Sequence, residues 1–209
     1  MKDYINKEHK FDKLTMLGII FLIVVISGIF GFVYELVFYY INGGMKDIYY
    51  PGGNFLPWIN IYAYGALLIC FFAYKRRKKP LVVFIESLVI CGLLELISGW
   101  AIYMLFDGLR LWDYNIEIWN FGNIGGYICL RSVLFFGVSG LLLIYGIIPI
   151  CFYIARKMNK KAFIIITTIL FSLILIDEIY NLFIARMFSL PRAYNVYKSL
   201  GFSYVDFGG

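Results

Sequence analysis

The sequence predicts an all-α fold, a polytopic membrane helix bundle of five transmembrane helices, and three observations predict it. Hydrophobic residues make up 62% of the chain and charged residues only 15%, against roughly one half apolar in soluble domains. The apolar residues gather into five long runs, 14–41, 56–74, 81–106, 127–155 and 162–187. The basic residues gather between them, in clusters that alternate from one connection to the next. Without alternating barrel-strand patterning, runs of this length cross a bilayer as helices, because hydrocarbon leaves no partner for unpaired backbone groups.

The first run is too long for a signal-peptide core and lacks a small-residue cleavage site, so it reads as a retained anchor. Before it stand Lys2, Lys7, Lys10 and Lys13; Lys75, Arg76, Arg77, Lys78 and Lys79 fill the second connection, and Arg156, Lys157, Lys160 and Lys161 the fourth. These three belong on the cytoplasmic side. The first connection offers only Lys46, the third only Arg110, and the tail Arg192 and Lys198. The N-terminus is therefore placed inside and the C-terminus outside, with a tail at 1–13, one transmembrane domain at 14–187 and an extracytoplasmic tail at 188–209. Trp58, Trp100, Trp112 and Trp119 then fall near the outer interface, where amphipathic rings are favoured.

Ionisable groups inside the runs mark the candidate site, since each is costly at membrane depth. Glu35, Glu95, Asp177 and Glu178 lie in the middle or outer part of their helices, and Arg131 and Arg186 near outer ends. Ser27, Gly31 and Glu35 are spaced by four, and Gly92, Glu95 and Gly99 by three and four, so small residues share faces with the carboxylates. Asp177, Glu178 and Asn181 form a polar patch. Glu86, about half a turn out of phase with Glu95, is assigned to snorkelling or an inner contact. Arg131 either pairs with Glu35, Glu95 or Glu178, or snorkels to the headgroups. The excess of carboxylates favours a cationic or zwitterionic solute, with Tyr62, Trp112 and Asp113 as further ligands. The aromatic third connection, 107–126, is either an interfacial loop or a re-entrant cap over an outward cavity.

Other function classes fit poorly. The charge of +6 is distributed as a topology signal and not as a nucleic-acid surface. Cys70, Cys91, Cys129 and Cys151 stand singly, and His9 is the one histidine, so neither disulfides, a metal site nor a cofactor is expected. With no base beside a nucleophile, the chain is not read as an enzyme.

The landmarks Gly31-Phe32-Val33-Tyr34-Glu35, Ile61-Tyr62-Ala63-Tyr64-Gly65-Ala66, Leu94-Glu95-Leu96-Ile97-Ser98-Gly99, Trp112-Asp113-Tyr114-Asn115 with Asn120, and Phe136-Gly137 with Pro149 resemble the ABC-transporter type IV permease family, also called CmpB-like. The chain departs from the family pattern at Asn60, Ala63 and Phe136. The resemblance implies a multi-pass permease or solute-binding component in a bacterial cytoplasmic membrane. The sequence has no phosphate-binding loop, so energy coupling is assigned to a separate ATPase subunit, with a homo-oligomer as another partner arrangement. The alternatives are a membrane sensor or assembly protein without transport, or an intramembrane enzyme.

Overall fold

A computed structural model describes residues 10–43, 49–105 and 107–203; Lys2, Lys7, His9 and Lys46 lie outside them. The described chain forms α1 (Lys13–Asn42), α2 (Asn60–Phe72), α3 (Pro80–Leu105), α4 (Leu130–Lys157), α5 (Lys160–Met187) and α6 (Ala193–Ser199). Of these, α1, α3, α4 and α5 are long and apolar enough to cross a membrane. The expected second span, 56–74, is not one continuous helix. Its α-helical part, α2, has 13 residues, about 20 Å at 1.5 Å per residue, short of the roughly 30 Å hydrocarbon core. Residues 54–59 before it are irregular and a 3₁₀ turn, Tyr74–Arg76, follows. Pro57 helps break the run, since it has no N–H and steers Leu56 away from helical angles.

The chain divides into two compact units, one on Gly65–Ile148 and the other on the described parts of 10–64 and 149–203. Helices α2 and α4 each run from one into the other.

In the first unit α3 and α4 pack antiparallel, with Ser87 seated against Gly140 and Glu95 bonded to Ser132. The hydroxyl of Tyr145 donates to the Arg77 carbonyl at 2.7 Å and ties down the basic turn. Arg76 pairs with Glu86 there. Leu81, Ile85, Val89, Leu93 and Ile97 leave an exposed apolar stripe at four-residue spacing along α3, suited to hydrocarbon. Within α4 the turn Leu143–Ile147 widens to π geometry, and the Ile148 N–H bonds to the Leu143 carbonyl. The widening sits where Pro149 lacks an N–H and its ring would press on the preceding turn.

In the second unit α1 and α5 run parallel. Gly18 faces Phe163 and Thr167, Phe21 stacks on Phe171 at 4.2 Å, and Val24 and Val25 join Ile174, Trp58 and Ala63 in one core cluster. Both helices begin at the same end. Asp12 caps α1 by accepting from the Thr15 N–H and hydroxyl, Asn159 caps α5 through the Lys161 and Ala162 N–H groups, and Lys160 Nζ lies 3.1 Å from Asp12. The Thr15 hydroxyl and the Lys160 ammonium hold the Asp12 carboxyl well below its ordinary range. Trp58 is 3% exposed and its indole donates to the Val24 carbonyl. It is therefore a core residue, a correction to the expectation that all four tryptophans belong to an interfacial belt. Its burial is possible because Gly28 leaves the space its ring fills.

Candidate functional site: two buried carboxylate nodes

The first node hangs the 107–129 loop on Glu95. Glu95 is 5% exposed, and its two oxygens accept from the Tyr114 hydroxyl at 2.5 Å and the Ser132 hydroxyl at 2.8 Å. Ser132 lies in the first turn of α4, so a helix N-terminus also faces the carboxyl group. Burial, with the Glu95 carboxyl beside it, pushes the Tyr114 phenol well above its ordinary value, so it stays protonated and serves as the donor. Arg131 stacks over the Tyr114 ring at 5.3 Å and donates to Glu117 at 2.5 Å. This ion pair gives Arg131 a partner, Glu117, that the sequence did not single out.

The loop around this hook is folded by its own side chains. Asp113 Oδ1 accepts from the Asn115 N–H and amide, and lies 3.5 Å from Arg110. Arg110 sits over the rings of Tyr103 and Tyr127, each at 4.9 Å, and donates to the Gly125 carbonyl. The Trp112 indole donates to the Tyr127 carbonyl, and Asn120 donates to the Tyr114 carbonyl. The Tyr114 N–H reaches the carbonyl of Gly126, whose φ of +81° and lack of a side chain let it pass beside Arg110, Asn115 and Asp113. Trp112 and Asp113 are thus loop-building residues, and Gly99, facing Trp112 and Tyr127, receives the loop.

The second node holds the irregular segment before α2. Asp177, 8% exposed, accepts from the Phe55 and Leu56 backbone N–H groups at 3.0 and 2.6 Å and from the Asn181 amide at 2.7 Å. The neighbouring Glu178 takes the Asn60 amide at 3.0 Å and the Tyr64 hydroxyl at 2.8 Å, both on one oxygen. Asn181 then accepts the Ala193 N–H at 2.8 Å, and the π turn Tyr180–Ile184 begins just beyond Glu178. Buried backbone outside regular helix needs partners for its N–H groups, and Asp177 supplies them at Phe55 and Leu56. Tyr62 fills the space left by Gly31 and meets Tyr34 edge-on, while Glu35, half-buried, lies one turn further along α1.

The expected ligands therefore fall into two groups. Glu95, Arg131, Trp112 and Asp113 belong to the first unit; Glu35, Tyr62, Asp177, Glu178 and Asn181 belong to the second. The sequence reading passed over Glu117, Tyr114, Ser132, Asn60 and Tyr64 as partners. Glu117 carried a usable signal, a lone acid between Ile116 and Ile118 in an aromatic loop. The hydroxyl and amide donors carried none, since such groups occur throughout the chain.

A family described as "Putative ABC-transporter type IV" matches residues 20–182, more than three quarters of the chain and both nodes apart from the Ala193 contact. Comparison with curated proteins and with solved structures gave no match.

Proposed function

From the fact that the chain belongs to the ABC-transporter type IV family, we propose that it is the membrane-spanning component of an ATP-driven transporter in a bacterial cytoplasmic membrane. ATP hydrolysis is assigned to a separate ATPase subunit, which the ABC-transporter family suggests. The family match carries this reading, together with four helices of membrane-crossing length.

The parallel packing of α1 and α5 supports five crossings. Both helices start at the Asp12 and Lys160 end, so the chain must cross an even number of times between those starts. Crossings by α1, α3 and α4 alone make three; a passage through α2 and the irregular 54–59 segment makes four. The same passage puts all three basic connections on one side. The N-terminus then lies inside and the C-terminus outside.

Solute recognition is assigned to the carboxylates, in favour of a cationic or zwitterionic small molecule. In each node a tyrosine hydroxyl already occupies the acid, Tyr114 on Glu95 and Tyr64 on Glu178. A cationic group reaches Glu95 by replacing Tyr114, which couples binding to movement of the 107–129 loop. The test is to purify the tagged chain from its native membranes and reconstitute whatever complex it brings. ATP-dependent accumulation of an organic amine or zwitterion, reduced by Glu95→Gln, is the expected result. Uptake that needs no ATP, or anion uptake indifferent to Glu95→Gln, would sink the proposal.

A further inference from the structure

Residues 188–203 fold back over the segment that precedes α2, and the way they are held points to a moving part. The Tyr197 hydroxyl donates to the Phe55 carbonyl at 2.8 Å, its ring stacks on Tyr50 at 4.2 Å, and the Tyr50 N–H reaches the Ser203 carbonyl at 2.9 Å. Phe202 meets both rings edge-on. Among residues 193–203 only Ala193 is buried, so the segment is held by a few polar bonds and a small cluster of rings, Tyr50, Phe55, Tyr197 and Phe202. Segments with so few buried contacts open at a small fraction of the global unfolding free energy.

Its root is a turn, pinned by the Leu190 N–H on the Ala185 carbonyl and by the Tyr180 hydroxyl on the Pro191 carbonyl. Phe188, Ser189, Leu190 and Pro191 are all exposed, and Ser189 takes a φ of +53°, a strained conformation for a residue with a side chain. Past this root one hydrogen-bonded line runs from the Ala193 N–H to Asn181, from Asn181 to Asp177, and from Asp177 to the Phe55 and Leu56 N–H groups. The segment thus touches residues 50–56 directly and also through the acid that fixes their backbone.

We propose that residues 188–203 form a hinged strap, closed in this structure, whose release frees the irregular segment before α2 to rearrange. On the five-crossing reading the strap lies on the outer face, as an external gate of the second unit; the strap's hold on 49–59 can be tested without that reading.

The experiment is hydrogen exchange on the purified full chain in detergent, before and after cutting at a protease site inserted between Ser189 and Pro191. After cutting, the peptide covering 50–59 should exchange at least about 10-fold faster, the effect of losing more than one hydrogen bond at about 1 kcal/mol each, while peptides from 13–28 and 160–176 keep their rates. The milder variant Tyr197→Phe, which keeps the ring stack, should speed exchange at 50–59 by about 5-fold. Exchange at 50–59 within twofold of the uncut chain in both would overturn the strap. A rise shared equally by α1 and α5 would also overturn it, by showing the segment to be part of the global core.

Discussion

Tyr114→Phe removes a single oxygen from a buried loop, and its cost follows from where that oxygen sits. Tyr114 is 8% exposed and its hydroxyl is one of the two donors on Glu95, which is 5% exposed. The ring remains under Arg131, so packing is kept and only the hydrogen bond is lost. Loss of a buried hydrogen bond that leaves a polar atom unsatisfied costs about 1–3 kcal/mol. The expected destabilisation is therefore about 2 kcal/mol, or about 4–8 °C in Tm for a domain of this size. Glu95→Gln should cost about 1 kcal/mol, since the amide still accepts from one hydroxyl. In the double variant the two losses should fall short of additivity by about 1 kcal/mol, the coupling typical of directly bonded side chains. Thermal unfolding followed by tryptophan fluorescence reads all three, with Trp112 on the same loop as a local reporter. Additive losses, or a Tyr114→Phe variant as stable as the parent, would refute the hook.

Three further outcomes follow from the same contacts. Gly126→Ala should destabilise the loop by about 1–3 kcal/mol, because a side chain is placed at positive φ and against Arg110, Asn115 and Asp113; Gly53→Ala, which meets open space, is the control in the same melt. Trp58→Phe should cost about 1 kcal/mol or more through loss of the indole bond to the Val24 carbonyl, whereas Trp119→Phe, at an exposed position, should leave the melting temperature unchanged. For Asp12 the lowered carboxyl value fixes the sign: its contribution is present above the ordinary value of 3.8 and is lost as pH falls below it toward the folded value. The stability gap between the parent and Asp12→Ala should hold from pH 7 to 5 and close below pH 4, measured by denaturation at each pH.

Long apolar runs made most of the fold legible in the sequence. Helices α1, α3, α4 and α5 begin and end within a few residues of the runs that predict them, since a bilayer leaves such segments few alternatives. The second run was harder to read, because Leu56, Trp58 and Ile59 are as apolar as a helix yet sit in irregular backbone held by an acid 121 positions away in sequence. At the nodes, glutamate and aspartate inside apolar runs announced themselves. Their partners did not, because a tyrosine or serine hydroxyl has no sequence signature that marks it as a donor to a distant carboxylate. The small residues beside the acids invited the reading of close helix pairs. Gly31 does meet Tyr62 of α2 and Gly92 meets Val133 of α4, whereas Gly99 admits Trp112 of the loop, so one pattern served a loop as readily as helix contacts.

The five-crossing membrane component is tested most directly by labelling single cysteines from each side of sealed vesicles. Lys78→Cys and Lys157→Cys, both at exposed positions in basic connections, and Trp119→Cys in the 107–129 loop would each be introduced after replacing the four native cysteines. The account predicts that an impermeant maleimide reaches the first two only from the cytoplasmic face and the third only from the outside. Labelling of Lys78→Cys and Lys157→Cys from the face opposite to Lys10→Cys, a fourth site at an exposed position before α1, would contradict it, since α2 would then not cross and α1 and α5 could not lie parallel.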